Sequence, residues 1–418
     1  MLDMQKIGKD AKAAARILRR FDTAAKNRLI LRIADTLEAH RAEILAANAE
    51  DITAGEANGM TSALLDRLNL QRRLDGVIAD VRQVANLPDP VGEEFDHRTL
   101  MDGLYAHKRR VPIGVLGVIY ESRPNVTVDV AVLALKTSNA IILRGGSETI
   151  RSNIVLVDAI QRALAQEGFP ATAVQLIRDT DRRYVGELLK MHQYVDMIIP
   201  RGGAKLHDFC RENSTIPVIT GGIGICHLYV DETADFDASL EVIHNAKTQR
   251  PSVCNALDTV LVKREIARAF VPRLIQRLHQ THNVIFKLDP ELSDLINGDD
   301  RLQVAQEGDF DIEWMDYILG VKVVGDLDEA IDHIETHGTA HSDGILTQDK
   351  AAAAKFLSEV DSAALYVNAS TRFTDGSALG LGAEVAISTQ KLHARGPMAL
   401  LELTTYKWII QGEGHVRP

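Results

Sequence analysis

Apolar residues in the first ninety positions recur at helical spacing. Leu29, Ile30, Ile33 and Leu37 fall on one face of a 3.6-residue period, and similar stripes around them predict several amphipathic helices up to about Leu87. Pro88-Asp89-Pro90 ends that region, because proline donates no N–H to a continuing helix. Over 98–110 the pattern becomes strand-like around Asp102-Gly103, a dipeptide that predicts a tight hairpin. Its flanks carry few core residues, so the hairpin is expected to pair with another sheet edge or another chain. The alternating segment 403–410 is the expected strand partner.

From Val115 short apolar runs alternate with longer amphipathic ones. Segments 115–120, 140–143, 174–177, 197–199 and 217–219 read as buried parallel strands, with helices such as 149–165 between them. A second set follows beyond about Val230: helix 236–246, strand 259–262, helix 264–280, strand 318–324, helix 327–337, strand 344–347 and a return through 365–368. This alternation predicts a doubly wound α/β fold.

Composition narrows the class. A chain of 418 residues with 45% hydrophobic side chains has room for two or three domains. Its net charge of −11 supplies no basic field for nucleic acid or an anionic membrane, so an anionic ligand must be captured by locally placed cations. The apolar runs 115–120 and 126–135 fall short of a membrane span, and the first twenty residues lack the apolar core of a secretory signal. Three scattered cysteines, Cys210, Cys226 and Cys254, form no disulfide framework, and a reducing cytoplasm is the expected location.

Two kinds of feature carry candidate chemistry. Arg144-Gly145-Gly146-Ser147 and Arg201-Gly202-Gly203 each follow a strand and precede a helix, and Gly221-Gly222 follows a third strand. Such turns set backbone N–H groups, a cation and a helix N-terminus where phosphate can bind, which points to a nucleotide without naming it; G-x-G-x-x-G is absent. The other feature is Cys254, on a polar turn between a helical run and an apolar strand, where a thiol can be both rigid and reachable.

Gly117-Val118-Ile119-Tyr120-Glu121-Ser122-Arg123-Pro124-Asn125-Val126-Thr127, the Arg-Gly-Gly turns and Gln249-Arg250-Pro251-Ser252-Val253-Cys254-Asn255-Ala256-Leu257-Asp258-Thr259 together resemble the gamma-glutamyl phosphate reductases, members of the aldehyde dehydrogenase superfamily, over essentially the whole chain. The resemblance implies an aldehyde dehydrogenase-like α/β fold. A Rossmann-like cofactor-binding domain would span 1–97 and 112–230, with a return segment at about 361–398. A catalytic domain would span 231–360, and an oligomerisation arm 98–111 and 399–418. It further implies NADPH-dependent reduction of L-glutamyl 5-phosphate to glutamate 5-semialdehyde, the second step of proline synthesis from glutamate. Cys254 would be the nucleophile that carries a glutamyl thioester.

Carried over residue by residue, the resemblance assigns the oxyanion donor to Asn125, with Ser122 as the alternative. Cofactor contacts fall on Arg144, Gly145, Gly146, Ser147, Arg201, Gly202, Gly203, Thr220, Gly221, Gly222 and Glu313, and an arginine at position 144 suits the 2′-phosphate of NADPH. Substrate contacts are expected from Arg123, Ser252, Asn255, Asn368 and Arg372, with Arg250, Lys391 and Arg395 as further cations. Hydrolytic members of the superfamily carry a glutamate before the Gly-Gly, where this chain reads Ile219-Thr220-Gly221-Gly222; lacking that base suits an enzyme that must reduce its thioester. A homo-oligomer is expected, as is a possible hand-off from the kinase that makes the acyl phosphate. A competing reading places zinc on His333, His337 and His341, spaced four apart, but Gly338 breaks the helix this needs and H-E-x-x-H is absent; no metal is expected.

Overall fold

The computed structural model describes residues 2–100, 103–221 and 223–417, and they form two compact units. One comprises Met1–Thr220, Gly380–Ala386 and Met398–Pro418; the other comprises Gly221–Leu379 and Ile387–Pro397.

The first unit opens with helices Met4–Leu18, Thr23–Ala39, Arg41–Ala57, Ser62–Leu68 and Leu74–Asn86. Asp3, Asp22 and Thr61 cap three of them through side-chain oxygens that accept otherwise orphaned N–H groups. Leu29, Ile30, Ile33 and Leu37 are fully buried, as their spacing predicts. Burying each removes apolar surface worth roughly 1.5–3 kcal/mol.

Four parallel strands follow, in the spatial order Val174–Leu176, Ala140–Gly145, Val115–Tyr120, Met197–Arg201. The chain runs outward from Val115–Tyr120 in one direction, then returns to its other side at Met197–Arg201. That reversal opens a crevice beyond the carboxyl ends of these two strands, the place where open α/β sheets bind ligands. The predicted strand 217–219 contributes only a bridge between Val218 and Ile198. Elsewhere in the unit, Glu94–Thr99, Tyr105–Pro112 and Thr404–Gln411 make a three-stranded antiparallel sheet, with Tyr105–Pro112 in the middle. Asp102, at the expected hairpin tip, lies outside the described residues.

The second unit is built on seven parallel strands in the order Leu302–Val304, Ile285–Leu288, Ile318–Val324, Leu257–Lys263, Cys226–Val230, Ser342–Leu346, Ala364–Val367. Leu228, Val260, Phe270, Leu274 and Val321 are buried in the core between this sheet and helices such as Phe236–Thr248 and Arg264–His279. The expected boundary at 230 falls ahead of Gly221 instead, because Cys226–Val230 pairs with Leu257–Lys263 in this sheet. Much of the expected return segment also belongs here, since Ala364–Val367 is the sheet's edge strand.

Candidate active site

In the second unit Cys254 sits on the turn 249–256, between helix Phe236–Thr248 and strand Leu257–Lys263, at the amino end of the sheet. It is half-buried, whereas Cys210 and Cys226 are buried. Burial pushes the Cys210 thiol up to about 11 and the Cys226 thiol well above its ordinary range, so neither is a ready thiolate.

The backbone of Cys254 is gripped from two sides. Its carbonyl accepts the Cys226 thiol at 3.3 Å. Gly224 lies so close that a Cβ there would stand 1.5 Å from the same carbonyl oxygen. The Gly224 N–H in turn donates to the Glu313 carboxylate at 3.0 Å, which brings that residue to the nucleophile turn. Neither Cys226 nor Gly224 was anticipated; the only trace in the sequence is a third glycine following Gly221-Gly222 just before an apolar run.

Asn255 takes a different part from the expected substrate contact. It is buried, its amide nitrogen donates to the carbonyls of Thr374 at 2.8 Å and Arg372 at 3.3 Å, and its own carbonyl accepts from Thr371 Oγ1 at 2.7 Å. It therefore ties the loop 370–374 to the nucleophile turn. That clasp holds Arg372 half-buried, with Nε donating to Gln249 Oε1 at 3.0 Å. Burial lowers the Arg372 pKa, Arg250 lowers it further, and the acidic Asp375 and Cys254 lie close enough to oppose that shift. Arg372 thus lies within electrostatic reach of the thiol, while Arg250, on the same turn, is exposed. Ser252 is half-buried on the same turn.

Three other candidate cations and polar groups are placed elsewhere. Asn368 follows strand Ala364–Val367, at the opposite, carboxyl end of the sheet from Cys254. There its amide accepts from the Thr347 N–H at 2.9 Å and donates to the Thr347 carbonyl at 2.8 Å, closing a strand end. Lys391 and Arg395 both pair with Asp361. Helix Leu327–His337 ends before His341, whose Nδ1 lies 2.8 Å from Ser342 Oγ, and no metal-holding group of side chains occurs among the described residues.

The first unit presents the two Arg-Gly-Gly turns. Arg201 ends the strand beside the crevice, and Gly202-Gly203 lead into helix Ala204–Asn213. The Gly203 N–H donates to the Glu121 carboxylate at 3.3 Å, so that helix N-terminus already accepts an anion. A nicotinamide dinucleotide therefore fits the residues present. Arg144 differs from expectation: it is buried, with Nη1 donating to the Gly145 carbonyl at 2.6 Å and Nη2 to the Thr180 carbonyl at 2.8 Å. It shapes the Gly145-Gly146 turn from inside, leaving the exposed Ser147 on its outer side. Gly221 is set by packing, since a Cβ there would meet the Ile387 carbonyl at 2.0 Å. Thr220 ends the first segment of the first unit, and Gly222 lies outside the described residues.

The loop after Tyr120 separates the two oxyanion candidates. Ser122, at φ +47°, donates its N–H and hydroxyl to Glu148 Oε1 at 2.6 and 3.0 Å. Asn125 begins helix Asn125–Lys136 and donates one amide hydrogen to Asp129 at 2.9 Å. Burial pushes the Asp129 carboxyl up to about 6. Arg123, on the same loop, is half-buried.

The second unit carries a half-buried cysteine on a clamped turn, and the first a doubly wound sheet with Gly-Gly turns at its strand ends, each a feature that a nucleotide-using enzyme with a thiol nucleophile needs. Residues 2–296 match the aldehyde dehydrogenase family, and the chain belongs to it. Its relatives within that family are gamma-glutamyl phosphate reductases, with which the whole chain belongs. The reductase of Psychromonas ingrahamii is 59% identical over 418 residues, covering 100% of both chains. That of Photobacterium profundum is 56% identical over 419 residues, again covering 100% of each. The crystal structure of the Thermotoga maritima reductase superposes with a TM-score of 0.96 at 45% identity, covering 99% of both chains.

Proposed function

We propose that the chain reduces L-glutamyl 5-phosphate to L-glutamate 5-semialdehyde, with NADPH as donor and Cys254 as nucleophile. The observation that carries the reading is the seat of Cys254, a half-buried thiol on a clamped turn with Arg372 in electrostatic reach, in a chain collinear with reductases of that name. The Cys254 thiolate attacks the acyl carbon, and the bond to phosphate breaks with its electron pair leaving on the phosphate. Phosphate is a good leaving group, so the step needs no strong acid. Arg372 and Arg250 offset the anionic charge of substrate and leaving group.

When bound, the nicotinamide supplies the hydride that converts the thioester carbonyl to a thiohemiacetal oxyanion. Both additions put charge on the same oxygen. The Cys254 N–H and Asn125 are the donors we assign to it: Asn125 keeps a second amide hydrogen beyond the one given to Asp129, whereas Ser122 has turned its hydroxyl to Glu148. Collapse of the oxyanion breaks the C–S bond, releasing aldehyde and returning the thiolate. Arg201, Gly202, Gly203, Ser147 and Glu313 would hold the cofactor. The edge strand Thr404–Gln411 would pair chains into a homo-oligomer.

The reaction run backwards tests this. Glutamate semialdehyde and NADP⁺ should yield NADPH only when inorganic phosphate is present, and Cys254→Ser should abolish that formation while cofactor still binds. NADPH formed equally well without phosphate would overturn acyl phosphate chemistry, and an active Cys254→Ser would overturn the nucleophile.

A further inference from the structure

We propose that the buried ion pair Lys247–Asp258 is the positioning device of the nucleophile turn, holding Cys254 and Glu313 in fixed relation to each other. The inference rests on Cys254 as nucleophile. Lys247 occupies the last turn of helix Phe236–Thr248, and Asp258 is the second residue of strand Leu257–Lys263. The turn 249–256 that carries Cys254 runs between them, so the pair closes its base. Lys247 is 0% and Asp258 2% exposed, and Lys247 Nζ lies 3.6 Å from Asp258 Oδ1. A buried charge without its partner is strongly unfavourable, so each group restrains the other.

The ladder supplies an independent observation. Strands Cys226–Val230 and Leu257–Lys263 pair Cys226 with Leu257 but His227 with Thr259, leaving Asp258 as an extra residue in a parallel pairing. Bulges are rare between parallel strands, and they re-aim a side chain next to active sites. This one brings the Asp258 carboxylate to the backbone N–H of Trp314 at 3.2 Å, with Cys226 the residue across the bulge.

Both sides of the bulge lead to the nucleophile. Cys226, paired with Leu257 just ahead of Asp258, presents its thiol to the Cys254 carbonyl at 3.3 Å. Trp314 follows Glu313, whose carboxylate holds the N–H of Gly224, and Gly224 lies against that same carbonyl. One carboxylate thereby joins the helix before the turn, the strand after it and the segment bearing the expected cofactor residue. Asp258 and Lys247 touch no substrate in this scheme; they act through Cys254 and Glu313.

The test uses the full-length chain with two variants, Asp258→Asn and the double variant Lys247→Met/Asp258→Leu. The double variant replaces the pair by apolar groups, an exchange that buried pairs often tolerate, so it keeps the test decisive should the single change fail to fold. Folding is followed by circular dichroism, turnover in the phosphate-dependent reverse reaction, and the Cys254 thiol by its rate of alkylation with iodoacetamide, read on the Cys254 peptide by mass spectrometry. The expected result is a folded double variant with kcat lowered roughly 10- to 100-fold, KM for the semialdehyde changed less than about threefold, and a Cys254 alkylation rate shifted severalfold. A folded double variant with native kcat and native alkylation would overturn the proposal. Cys254→Ser run alongside separates the two readings: if it is inactive while the double variant behaves as native, only the positioning role falls.

Discussion

At Gly224 the missing side chain decides the geometry of the nucleophile. A methyl group there would need the Cys254 carbonyl oxygen to retreat from 1.5 Å to ordinary contact, and that atom is backbone, not the flexible end of a side chain. Gly224→Ala should therefore displace Cys254 itself and lower kcat by about 100-fold, with the folded content seen by circular dichroism little changed; steady-state kinetics with native turnover would show that the turn can yield. Asp129 carries a second expectation. Its folded pKa of about 6 lies above the ordinary 3.8, so between these values the folded chain holds a proton that the unfolded chain has lost. The contribution of this group is fully present below the ordinary 3.8 and is lost as pH rises through about 6. Asp129→Asn should then raise the thermal midpoint near pH 7.5 relative to the native chain and show a smaller gain near pH 5, provided Asn125 keeps an acceptor at that position. An equal gain at both pH values would argue against a raised carboxyl.

Helix Ala204–Asn213 shows how an element can be legible while its occupant is not. The Arg201-Gly202-Gly203 turn announces a strand, a sharp bend and a helix N-terminus, and all three are present. Nothing in the sequence announces that Glu121 reaches its carboxylate to the Gly203 N–H, because that contact joins the ends of neighbouring strands across a long stretch of chain. On the proposed cofactor site the carboxylate competes with a phosphate for that N–H, so neutralising it should help binding. Glu121→Gln is expected to tighten NADPH severalfold in a fluorescence titration, with the gain shrinking at high salt; unchanged or weaker binding would mean that Glu121 is not a competitor. The same contrast runs through the other elements. Strand Val115–Tyr120 and helix Leu327–His337 match their apolar periods, whereas Ile285–Leu288 and Leu302–Val304 are too short, and too mixed in polarity, to stand out. The roles of Arg144 and Asn255 diverged for a related reason. A side chain's type shows that it can bind an anion or an amide, but only the fold decides whether backbone carbonyls take it first.

Across the whole molecule, the alternation of apolar runs made the doubly wound class readable, while the unit boundary was not, because Cys226–Val230 has no period that tells which sheet it joins. The pairing of the late strand with the hairpin is readable at both levels. Segment 403–410 alternates, and Thr404–Gln411 pairs in antiparallel register with Tyr105–Pro112 along its whole length. That strand is the edge of its sheet and exposes Tyr406, Trp408 and Ile410 at 49%, 45% and 61%. Lys108 covers the rings of Tyr406 and Trp408, at 4.6 and 4.9 Å, whereas Ile410 is the most exposed of the three. An apolar edge strand with unpaired N–H and C=O groups invites another strand, and a natural chain tolerates one where a second copy covers it. Ile410→Lys puts a charge on that edge at a site already open to solvent, so it should leave the fold of each chain intact and shift sedimentation toward smaller species at micromolar concentration. If the edge is the assembly surface, Tyr406→Lys should add to the effect, while a charge at the exposed Leu357, on the second unit's helix Lys350–Glu359, should leave the sedimentation profile as it was. An unaltered profile in the double variant would assign the arm's exposed face to something other than a second copy of the chain.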